Sequence, residues 1–572
     1  YNYLWVKEFI TLANVTRHFH DKPEWNMFNM PKLKKMIHAF VPLIFSGKFT
    51  PLIGDTGAAG KPEVYIKKED MILGYKVYRT EILAQAAYFL NGNSIEGIHD
   101  DIFSENPDKI AWEIQDVIQR EGTLSSKSFM MPSYGLAGLR DGQSNEERAV
   151  WLYFGRNIGH GHKDTLNLGL YAFGIDMATD LGNPEYKRFD WAKRFEWTLN
   201  TVSHNTVTVD GAMQGNSLRG NPYHFESADR VKLVDVNADK VYSKTSMYRR
   251  TVALIKIDDE SSYVMDVFRV KGGNDHVYSF HGPEGAVDVR GLNLKKQAKG
   301  TYAGEDVPFG YAYDRKDPTI SSYQGSGFHY LYDVERDENP PDTFEIIWNA
   351  KDTWNLLPPG KSPKLSLTVL TKLHEAALAS GDPARNQPGA AENYRYFLAR
   401  RHGENLESRF LSVMEPYVGN KKVLSIEKLK AVPMEGPGQE EDVAAIKVTL
   451  ESGRTDYIIN AIHSDTVYAI DDRFVFCGHF GLYQEQNGKP VYAFLCDGTK
   501  FNRTDCNMID NVLSAITGTV ADFTKEYTDK NQILIHTEEP VKGSLKGRFA
   551  YVKTGEKDQT AFFVEDSRNI GS

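Results

Sequence analysis

The sequence has little cysteine and no long apolar run. Its 572 residues contain three cysteines, Cys477, Cys496 and Cys506, and no Cys-x-x-Cys pair. So small and odd a number excludes a disulfide framework. No uninterrupted apolar stretch approaches the roughly 18–20 residues that a membrane-spanning helix needs. The sequence therefore predicts a soluble protein without a membrane span, stabilised by apolar cores.

An excess of basic charge is also missing. The chain has 67 Lys and Arg residues against 77 Asp and Glu residues, a net charge of -10. This balance argues against a general nucleic-acid-binding protein, because such binding depends on neutralising phosphates. Hydrophobic residues make up 41% and charged residues 25%, which is typical of globular proteins. At roughly 100–200 residues per domain, the length predicts two to four domains.

The first part of the chain, residues 1–127, has the pattern of an all-helical region. Apolar residues recur near the 3.6-residue helical period in three stretches. The stretches are residues 3–15, 78–90 and 108–120. In the first of them, Leu4, Phe9, Leu12 and Ala13 follow that period, which predicts a helix.

The rest of the chain has the pattern of β-structure. From residue 128, short apolar or alternating runs are separated by turn residues, which predicts a large antiparallel β-sandwich over residues 128–385. The stretch 376–404, rich in Ala, Gly and Pro in its first half, is interpreted as the linker or edge of that sandwich. A second β-domain is predicted over residues 386–572.

One polar motif interrupts the apolar strands. In HGHKDTLNLGLYAFG, a strand over residues 159–170 would place His160, His162 and Asp164 on the same face as three leucines. Buried imidazoles need partners, so a functional site is the simplest explanation. A hydrogen-bonded pair of core histidines remains the alternative.

Two later motifs add metal-ligating residue types. Asp180 lies in TDLG and His204 lies in SHNTVTVDG. Together with His162 they offer one carboxylate and two imidazoles, a set that suits Zn²⁺ or a similar divalent ion. The sequence therefore favours equally a metal site at these three residues and a hydrogen-bonded core group.

The three motifs, in this order and approximate spacing, resemble the heparinase II/III-like polysaccharide lyases. The segments GDTG at residues 54–57 and FRVKGGNDHVYSFHG at 268–282 are also similar to this family. The resemblance implies an α+β multidomain fold: an incomplete α/α toroid, then a large antiparallel β-sandwich, then a C-terminal β-domain. A toroid needs more helices than the four or five counted here, so a further toroid part is expected to precede residue 1.

The resemblance also implies a reaction: β-elimination in a uronic-acid-containing polysaccharide, either alginate or a glycosaminoglycan such as heparin or heparan sulfate. The sugar carboxylate must be neutralised, the C5 proton removed and the leaving O4 protonated. By similarity, His160 acts on the substrate as base or carboxylate partner. His162, Asp180 and His204 hold a structural metal, Zn²⁺ by expectation, that orients the His160 loop.

The family further uses a tyrosine from the toroid as proton donor, about 150 residues before the HGH motif. Tyr1 is the first candidate and Tyr3 the second. Arg156 is a candidate for binding a substrate carboxylate, because arginine forms bidentate contacts with planar anions; a salt bridge within the fold is equally compatible. Trp197 is a candidate for stacking on a sugar ring, with a core or surface role as the alternative.

Two other functions remain open. A glycoside hydrolase on a similar toroid would need two carboxylic acids about 5–10 Å apart, and a glycan-binding protein would retain the fold without chemistry. The expected partner is an acidic polysaccharide or oligosaccharide, with no nucleic acid and no membrane span. A homodimer is left open, as are the polymer and endo or exo action. The resemblance implies a secreted or periplasmic location.

Overall fold

The computed structural model describes residues 2–570 except 20, 101–102, 185–190, 317–319, 511–514, 527, 529, 538–540, 542 and 556–557. Within the described part of the first 121 residues the chain forms five α-helices. They are α1 Asn2–Thr16, α2 Pro31–His38, α3 Lys68–Tyr78, α4 Glu81–Leu90 and α5 Lys109–Glu121. All three predicted helical stretches are present, as α1, α4 and α5. Helices α2 and α3 complete the helical segment.

The buried face of α1 contains one of the four residues that follow the helical period, Ala13. Val6, Ile10 and Ala13 are buried, and they join the core of the helical segment. The large apolar side chains elsewhere on this helix are exposed: Leu4, Trp5, Phe9, Leu12 and Val15. Because α1 is apolar around much of its circumference, periodicity locates the helix but does not select which side packs.

A five-stranded antiparallel sheet follows the helices. Its strands are β1 Phe129–Met131, β2 Leu136–Asp141, β3 Arg148–Tyr153, β4 Asn167–Ala172 and β5 Ile175–Asp176, paired in chain order. After β5 come the short helix α6, Trp191–Lys193, and a π-helix, Arg194–Thr198. The HGH, TDLG and SHN motifs lie in the connections that follow β3, β5 and the π-helix.

Two larger antiparallel sheets form the sandwich. Their strands are β6 Val207–Val209, β7 Asn221–Ser227, β8 Val231–Asn237, β9 Met247–Lys256, β10 Ser262–Lys271, β11 Asp275–His281, β12 Val287–Arg290, β13 Lys295–Lys296, β14 Tyr332–Asp337, β15 Phe344–Asn349, β16 Pro363–Val369, β17 Glu375–Gly381, β18 Tyr394–His402 and β19 Glu407–Val418. One sheet has the order β12-β15-β16-β19-β10-β9-β8-β7 and the other β13-β14-β17-β18-β11-β6. A single apolar cluster, with Val150, Phe268 and Phe397 among its members, joins both to the five-stranded sheet.

The predicted boundary at 385/386 lies inside this sandwich. Strand β18 pairs with β11 and β17, and β19 pairs with β10 and β16. The Ala, Gly and Pro composition of residues 376–404 thus marks two sandwich strands and the loop between them. Small residues in β17 allow close packing, which composition alone does not distinguish from a linker.

The C-terminal β-region begins after residue 418. Its strands are β20 Val423–Lys428, β21 Ala431–Glu435, β22 Val443–Leu450, β23 Arg454–Ala461, β24 Val467–Ile470, β25 Phe474–Gln486, β26 Lys489–Arg503, β27 Cys506–Asp510, β28 Gly518–Phe523, β29 Ile533–Thr537, β30 Phe549–Lys553 and β31 Gln559–Phe563. The first eight form one sheet, and the last four form two hairpins. Leu233 and Val267 of the sandwich share a core with Ile446 and Phe480, so the two β-regions pack face to face. Within the described residues, no helix has both the length and the apolarity needed to cross a membrane.

Candidate active site and metal centre

The HGH motif lies in a loop, and the predicted strand over residues 159–170 begins only at Asn167, the first residue of β4. Leu166 has a positive φ of 65°, which interrupts an extended backbone. The loop, rather than strand alternation, therefore sets the two histidines. The His160 side chain is 54% exposed, whereas that of His162 is fully buried. They do not share one environment.

The GDTG loop of the helical segment holds the HGH loop in place. The Asp55 amide donates to the His160 carbonyl at 2.9 Å. Gly54 has a φ of +66°, and a Cβ atom there would overlap the same carbonyl oxygen, so this approach requires glycine. The Gly57 carbonyl accepts a hydrogen bond from the Asn183 amide at 3.1 Å. One loop thus contacts both the HGH motif and the segment after Asp180.

The Asp55 carboxylate is the centre of a buried hydrogen-bond network. It accepts from Arg194 Nη2 at 2.6 Å, from His160 Nδ1 at 2.9 Å and from His162 Nε2 at 3.3 Å. Burial would raise the pKa of Asp55, but His162, Arg194 and His160 together hold it well below its usual range. An ionised Asp55 accepts a hydrogen bond from His160 Nδ1–H, which selects the tautomer whose basic nitrogen is Nε2.

The three predicted metal ligands come together beneath this network. One ligand atom from each of His162, Asp180 and His204 lies within 4.8 Å of the others, and all three side chains are buried. His204 Nδ1 is 2.9 Å from Asp180 Oδ2. The side chain of Asn167 and the amide of Gly182 each donate to Asp180 at 2.9 Å. Despite burial, the pKa of Asp180 is lowered, chiefly by His204, so this carboxylate is ionised.

An unpaired nitrogen shows that these residues fit a metal ion. Among the described residues, His162 Nδ1 has no hydrogen-bond partner, although it is buried. Its other nitrogen, Nε2, donates to Asp55. This is the arrangement in which a carboxylate orients a histidine for metal binding through its second nitrogen. A buried polar group without a partner costs about 1–3 kcal/mol, and a divalent cation held by His162, Asp180 and His204 would remove that cost.

Asp164 adds a second acid at the edge of this group. Its side chain is buried, and neither carboxylate oxygen has a hydrogen-bond partner within the described part of the chain. Burial is the largest influence and raises its pKa to about 6, while His204 and His162 lower it and Asp180 raises it further. The sequence placed Asp164 on the His160 face without assigning it a role.

Trp197 does not have the predicted sugar-stacking position. Its side chain is fully buried, and its indole N–H donates to the Asp382 carbonyl at 2.7 Å. The ring packs against Tyr330 and Tyr396 at centroid distances of 6.1 and 5.4 Å. Both ring faces lie in an apolar core, which corrects the substrate-binding prediction. Arg156, in contrast, is exposed, and its carbonyl accepts from Tyr153 Oη at 2.8 Å.

Of the two candidate tyrosines, Tyr3 lies in the helical segment. Tyr1 lies outside the described residues. Tyr3 lies on α1, donates its hydroxyl proton to the Asp70 carboxylate and accepts from the Lys67 amide at 3.1 Å. Burial, with a further contribution from Asp70, raises the pKa of Tyr3, which favours the protonated phenol. These contacts tie Tyr3 to α3 and the residue before it.

Two residues of the network were not predicted. Asp55 lies in GDTG, which was noted as family-like without a role for its carboxylate. The sequence signal for Asp55 was an acid directly after a glycine in a loop rich in Gly and Pro. Arg194 opens the π-helix. π-Helical turns are rare and often occur at functional sites, but sequence patterns do not reveal them.

Comparison with known proteins places part of the chain in a family. Residues 125–363 match the family model described as Heparinase II/III-like, C-terminal. Among solved structures, a mutant of the heparan sulfate lyase HepC from Pedobacter heparinus is 13% identical, with a TM-score of 0.47. The similarity covers 79% of this chain and 56% of that chain. A structure of heparinase III is 12% identical, with a TM-score of 0.47, over 80% of this chain and 59% of that one.

The chain thus spans less than two thirds of the length of these solved proteins. No curated protein sequence matches it significantly. The family match includes the HGH, TDLG and SHN motifs, and with them the buried His162–Asp180–His204 group. Residues 125–363 are therefore similar to the C-terminal domain of heparinase II/III-like proteins.

Proposed function

We propose that this protein is a polysaccharide lyase that cleaves a uronic-acid-containing polymer by β-elimination. The observation that carries the proposal is the position of His160: its imidazole is 54% exposed, while its Nδ1 is held by the buried, ionised Asp55. This residue lies within the stretch that matches the heparinase II/III-like model, and through Asp55 it is linked to His162 of the buried group of candidate metal ligands.

In this reaction the C5 proton leaves, a C4–C5 double bond forms, the C4–O4 bond breaks and O4 receives a proton. We assign proton removal, or contact with the sugar carboxylate, to His160 Nε2. Asp55 fixes the required tautomer, and its negative charge stabilises the imidazolium that forms when Nε2 accepts a proton. Arg194 binds the same carboxylate oxygen as His160, Oδ2, and helps to keep Asp55 ionised.

Arg156 is the proposed partner of the substrate carboxylate. It is exposed and lies four residues before His160 in the same loop. A guanidinium beside the carboxylate stabilises the negative charge that develops as C5 loses its proton. For protonation of O4 we retain Tyr1 as first candidate and Tyr3 as second. A raised pKa suits Tyr3 to donate a proton rather than accept one, although its hydroxyl must first leave Asp70.

We further propose that His162, Asp180 and His204 hold a structural Zn²⁺ ion. The ligand types and their complete burial suit a closed site rather than one that meets substrate. When bound, the ion would supply positive charge that fixes the site floor. Asp55 contacts both His160 and His162, so the position of one histidine depends on that of the other.

The remaining parts of the proposal rest on the similarity to the heparinase II/III-like family. The helical segment is proposed to be part of an α/α toroid that forms one wall of a substrate cleft. The substrate is proposed to be a glycosaminoglycan such as heparin or heparan sulfate, or alginate. Such polymers are extracellular, which favours a secreted or periplasmic location.

The test is incubation of the purified protein with heparin, heparan sulfate, chondroitin sulfate, hyaluronan and alginate, followed by ultraviolet absorbance and by reducing-end assay. A lyase increases both, because the new C4–C5 double bond is conjugated to the carboxylate. New reducing ends without absorbance would identify a hydrolase instead, and binding without either signal would identify a glycan-binding protein. The His160→Ala variant is the control for a contaminating lyase.

A further inference from the structure

A surface loop of the sandwich carries three exposed aromatic rings. In the sequence VPFGYAYDRK, residues 307–316, Phe309 is 48% exposed, Tyr311 61% and Tyr313 45%. The rings alternate with the small residues Gly310 and Ala312. Large apolar side chains that form a group on a protein surface often mark a binding site.

Hydrogen bonds to residues 323–329 hold this loop in place. Asp314 accepts from Tyr323 Oη at 2.8 Å through one carboxylate oxygen, and from the Ser326 amide at 2.9 Å through the other. The Gly310 amide donates to the His329 carbonyl at 3.0 Å. Rings on a fixed loop lose little conformational entropy when they bind a ligand.

The base of this loop is joined to the candidate active site. Arg315 forms an ion pair with Glu196, a fully buried residue of the π-helix. His329 Nε2 also lies 3.1 Å from the Glu196 carboxylate. The same π-helix begins with Arg194, which binds Asp55 2.6 Å away. The aromatic loop and the His160 network are therefore attached to a single turn of chain.

The buried Trp197 supports the exposed rings from behind. Its indole stacks with Tyr330 at 6.1 Å, and Phe309 packs edge-on against Tyr330 at 5.4 Å. An aromatic contact chain thus runs from the core to the surface. Phe309, which is exposed, can therefore stack on a sugar ring as the buried Trp197 cannot.

We infer that Phe309, Tyr311 and Tyr313 form a sugar-stacking subsite that holds the polysaccharide chain beyond the bond to be cleaved. The inference rests on the proposed function, since it names a further binding region of the same site. The apolar C–H face of a pyranose ring packs on an aromatic ring, and the exposed Lys316 beside these rings can pair with a carboxylate or sulfate. Attachment to the π-helix favours a glycan as the occupant over an unrelated protein.

The test compares polymer with oligosaccharide. Heparan sulfate and alginate are each supplied as polymer and as tetrasaccharide to the parent protein and to the Tyr311→Ala and Tyr313→Ala variants. Each substitution is expected to raise the ratio of polymer KM to tetrasaccharide KM by about three- to tenfold, the effect of losing one aromatic contact. Tyr311→Phe retains the ring and is expected to recover most of this loss.

The matched control is Phe563→Ala, which removes an exposed ring from β31 in the C-terminal region. If the parent cleaves polymer but the tyrosine variants change the KM ratio no more than this control, the subsite is wrong and the lyase proposal stands. If the parent cleaves neither polymer, affinity electrophoresis on the same polymers decides. If the polymer gel retains the parent protein but not Tyr311→Ala, the subsite is supported although cleavage is not. If the gel does not retain the parent protein, both the subsite and the lyase proposal are overturned. A change of oligomeric state in Tyr311→Ala without a change of KM ratio would assign the rings to a protein interface and overturn the inference.

Discussion

Asp55 and His160 are separated by 105 positions in the chain and are joined twice in the structure. The Asp55 amide donates to the His160 carbonyl at 2.9 Å, and the Asp55 carboxylate accepts from His160 Nδ1 at 2.9 Å. Backbone and side chain of one residue thus fix backbone and side chain of the other. A residue of the helical segment sets both the place and the tautomer of the proposed catalytic imidazole.

The Asp55→Asn substitution tests this relationship. An amide carries no negative charge and can present its N–H₂ to His160, so the wrong tautomer is favoured. Turnover is expected to fall on the order of 10²- to 10⁴-fold, measured by ultraviolet absorbance. Metal affinity should fall as well, by about 10- to 100-fold, because Asp55 also binds His162. The exposed Asp259→Asn is the control, and near-parental turnover of Asp55→Asn would remove Asp55 from the mechanism.

The His160→Ala substitution separates chemistry from metal binding. Because His160 is half exposed and is not a member of the buried ligand group, its removal should abolish turnover while metal content and Tm stay close to the parent values. Elemental analysis and thermal melting check the second part. Turnover within a few-fold of the parent would show that His160 does not act on substrate.

The His162→Ala substitution should have the opposite pattern. It removes a ligand from a fully buried group, so stoichiometric metal and Tm should both decrease together with activity. Prolonged treatment with a chelator should lower the Tm of the parent protein in the same direction. His463→Ala, at a partly exposed position, is the control. An unchanged Tm with no metal in the parent would contradict the metal site.

The Gly54→Ala substitution tests the close approach of the two loops. Gly54 and Gly97 both have positive φ, but an added Cβ meets the His160 carbonyl at Gly54 and meets nothing within 4 Å at Gly97. Gly97→Ala should therefore cost about 1 kcal/mol in free energy of unfolding, from backbone strain alone. Gly54→Ala should cost about 1–3 kcal/mol more, from overpacking, and should also lower turnover. Equal losses in urea unfolding would show that the loops separate without cost.

A second histidine cluster predicts a pH-dependent stability. His224 lies between Asp235 and Asp497, 3.2 and 3.1 Å from their carboxylates, and thus joins the sandwich to the C-terminal β-region. Its ring stacks on that of His479 at 4.0 Å with an interplanar angle of 12°. Nearly parallel rings do not direct two nitrogens at one ion, so charge pairing explains this cluster better than a metal. Arg249 also pairs with Asp235.

Burial lowers the pKa of His224, but Asp235 and Asp497 outweigh it, so the folded pKa is raised above 6.5. A raised pKa means that protonated His224 stabilises the fold fully below pH 6.5, and that this contribution is lost as pH rises through the folded value. Urea unfolding at pH 6 and 8.5 should show higher stability at pH 6. The difference should shrink in His224→Gln and persist in His536→Gln, an exposed control. An equal pH dependence in both variants would contradict this role.

The sequence predicts part of this site because some constraints are local. Histidine, aspartate and histidine in apolar surroundings indicated a shared site, and the structure brings His162, Asp180 and His204 together. The contribution of Asp55 could not be derived in the same way, because it depends on which loop of the helical segment faces the HGH loop. That choice is made by tertiary packing rather than by any periodic pattern.

The errors have equally specific causes. The HGH segment was predicted to be a strand because leucines alternate from residue 166 onward, but the backbone turns at Leu166 and the pattern is extended only from Asn167. For Trp197 the sequence leaves sugar stacking and a core role open, because tryptophan serves both; the π-helix turns its ring into the core.

The Asp55 network spans two structural layers, which affects how the protein should lose activity on heating. Asp55 belongs to the helical segment, while His160 and Arg194 belong to the β-layer. The helices have an apolar core of their own, and only a smaller cluster, with Phe49 and Trp151 among its described members, joins the two layers. Proteins open in cooperative units of unequal stability, and the least stable unit opens first. A brief undocking of the helical layer would release His160 from its carboxylate while every sheet stays intact. Inactivation is therefore expected to follow a sub-global opening, at temperatures below the melting of the β-sandwich.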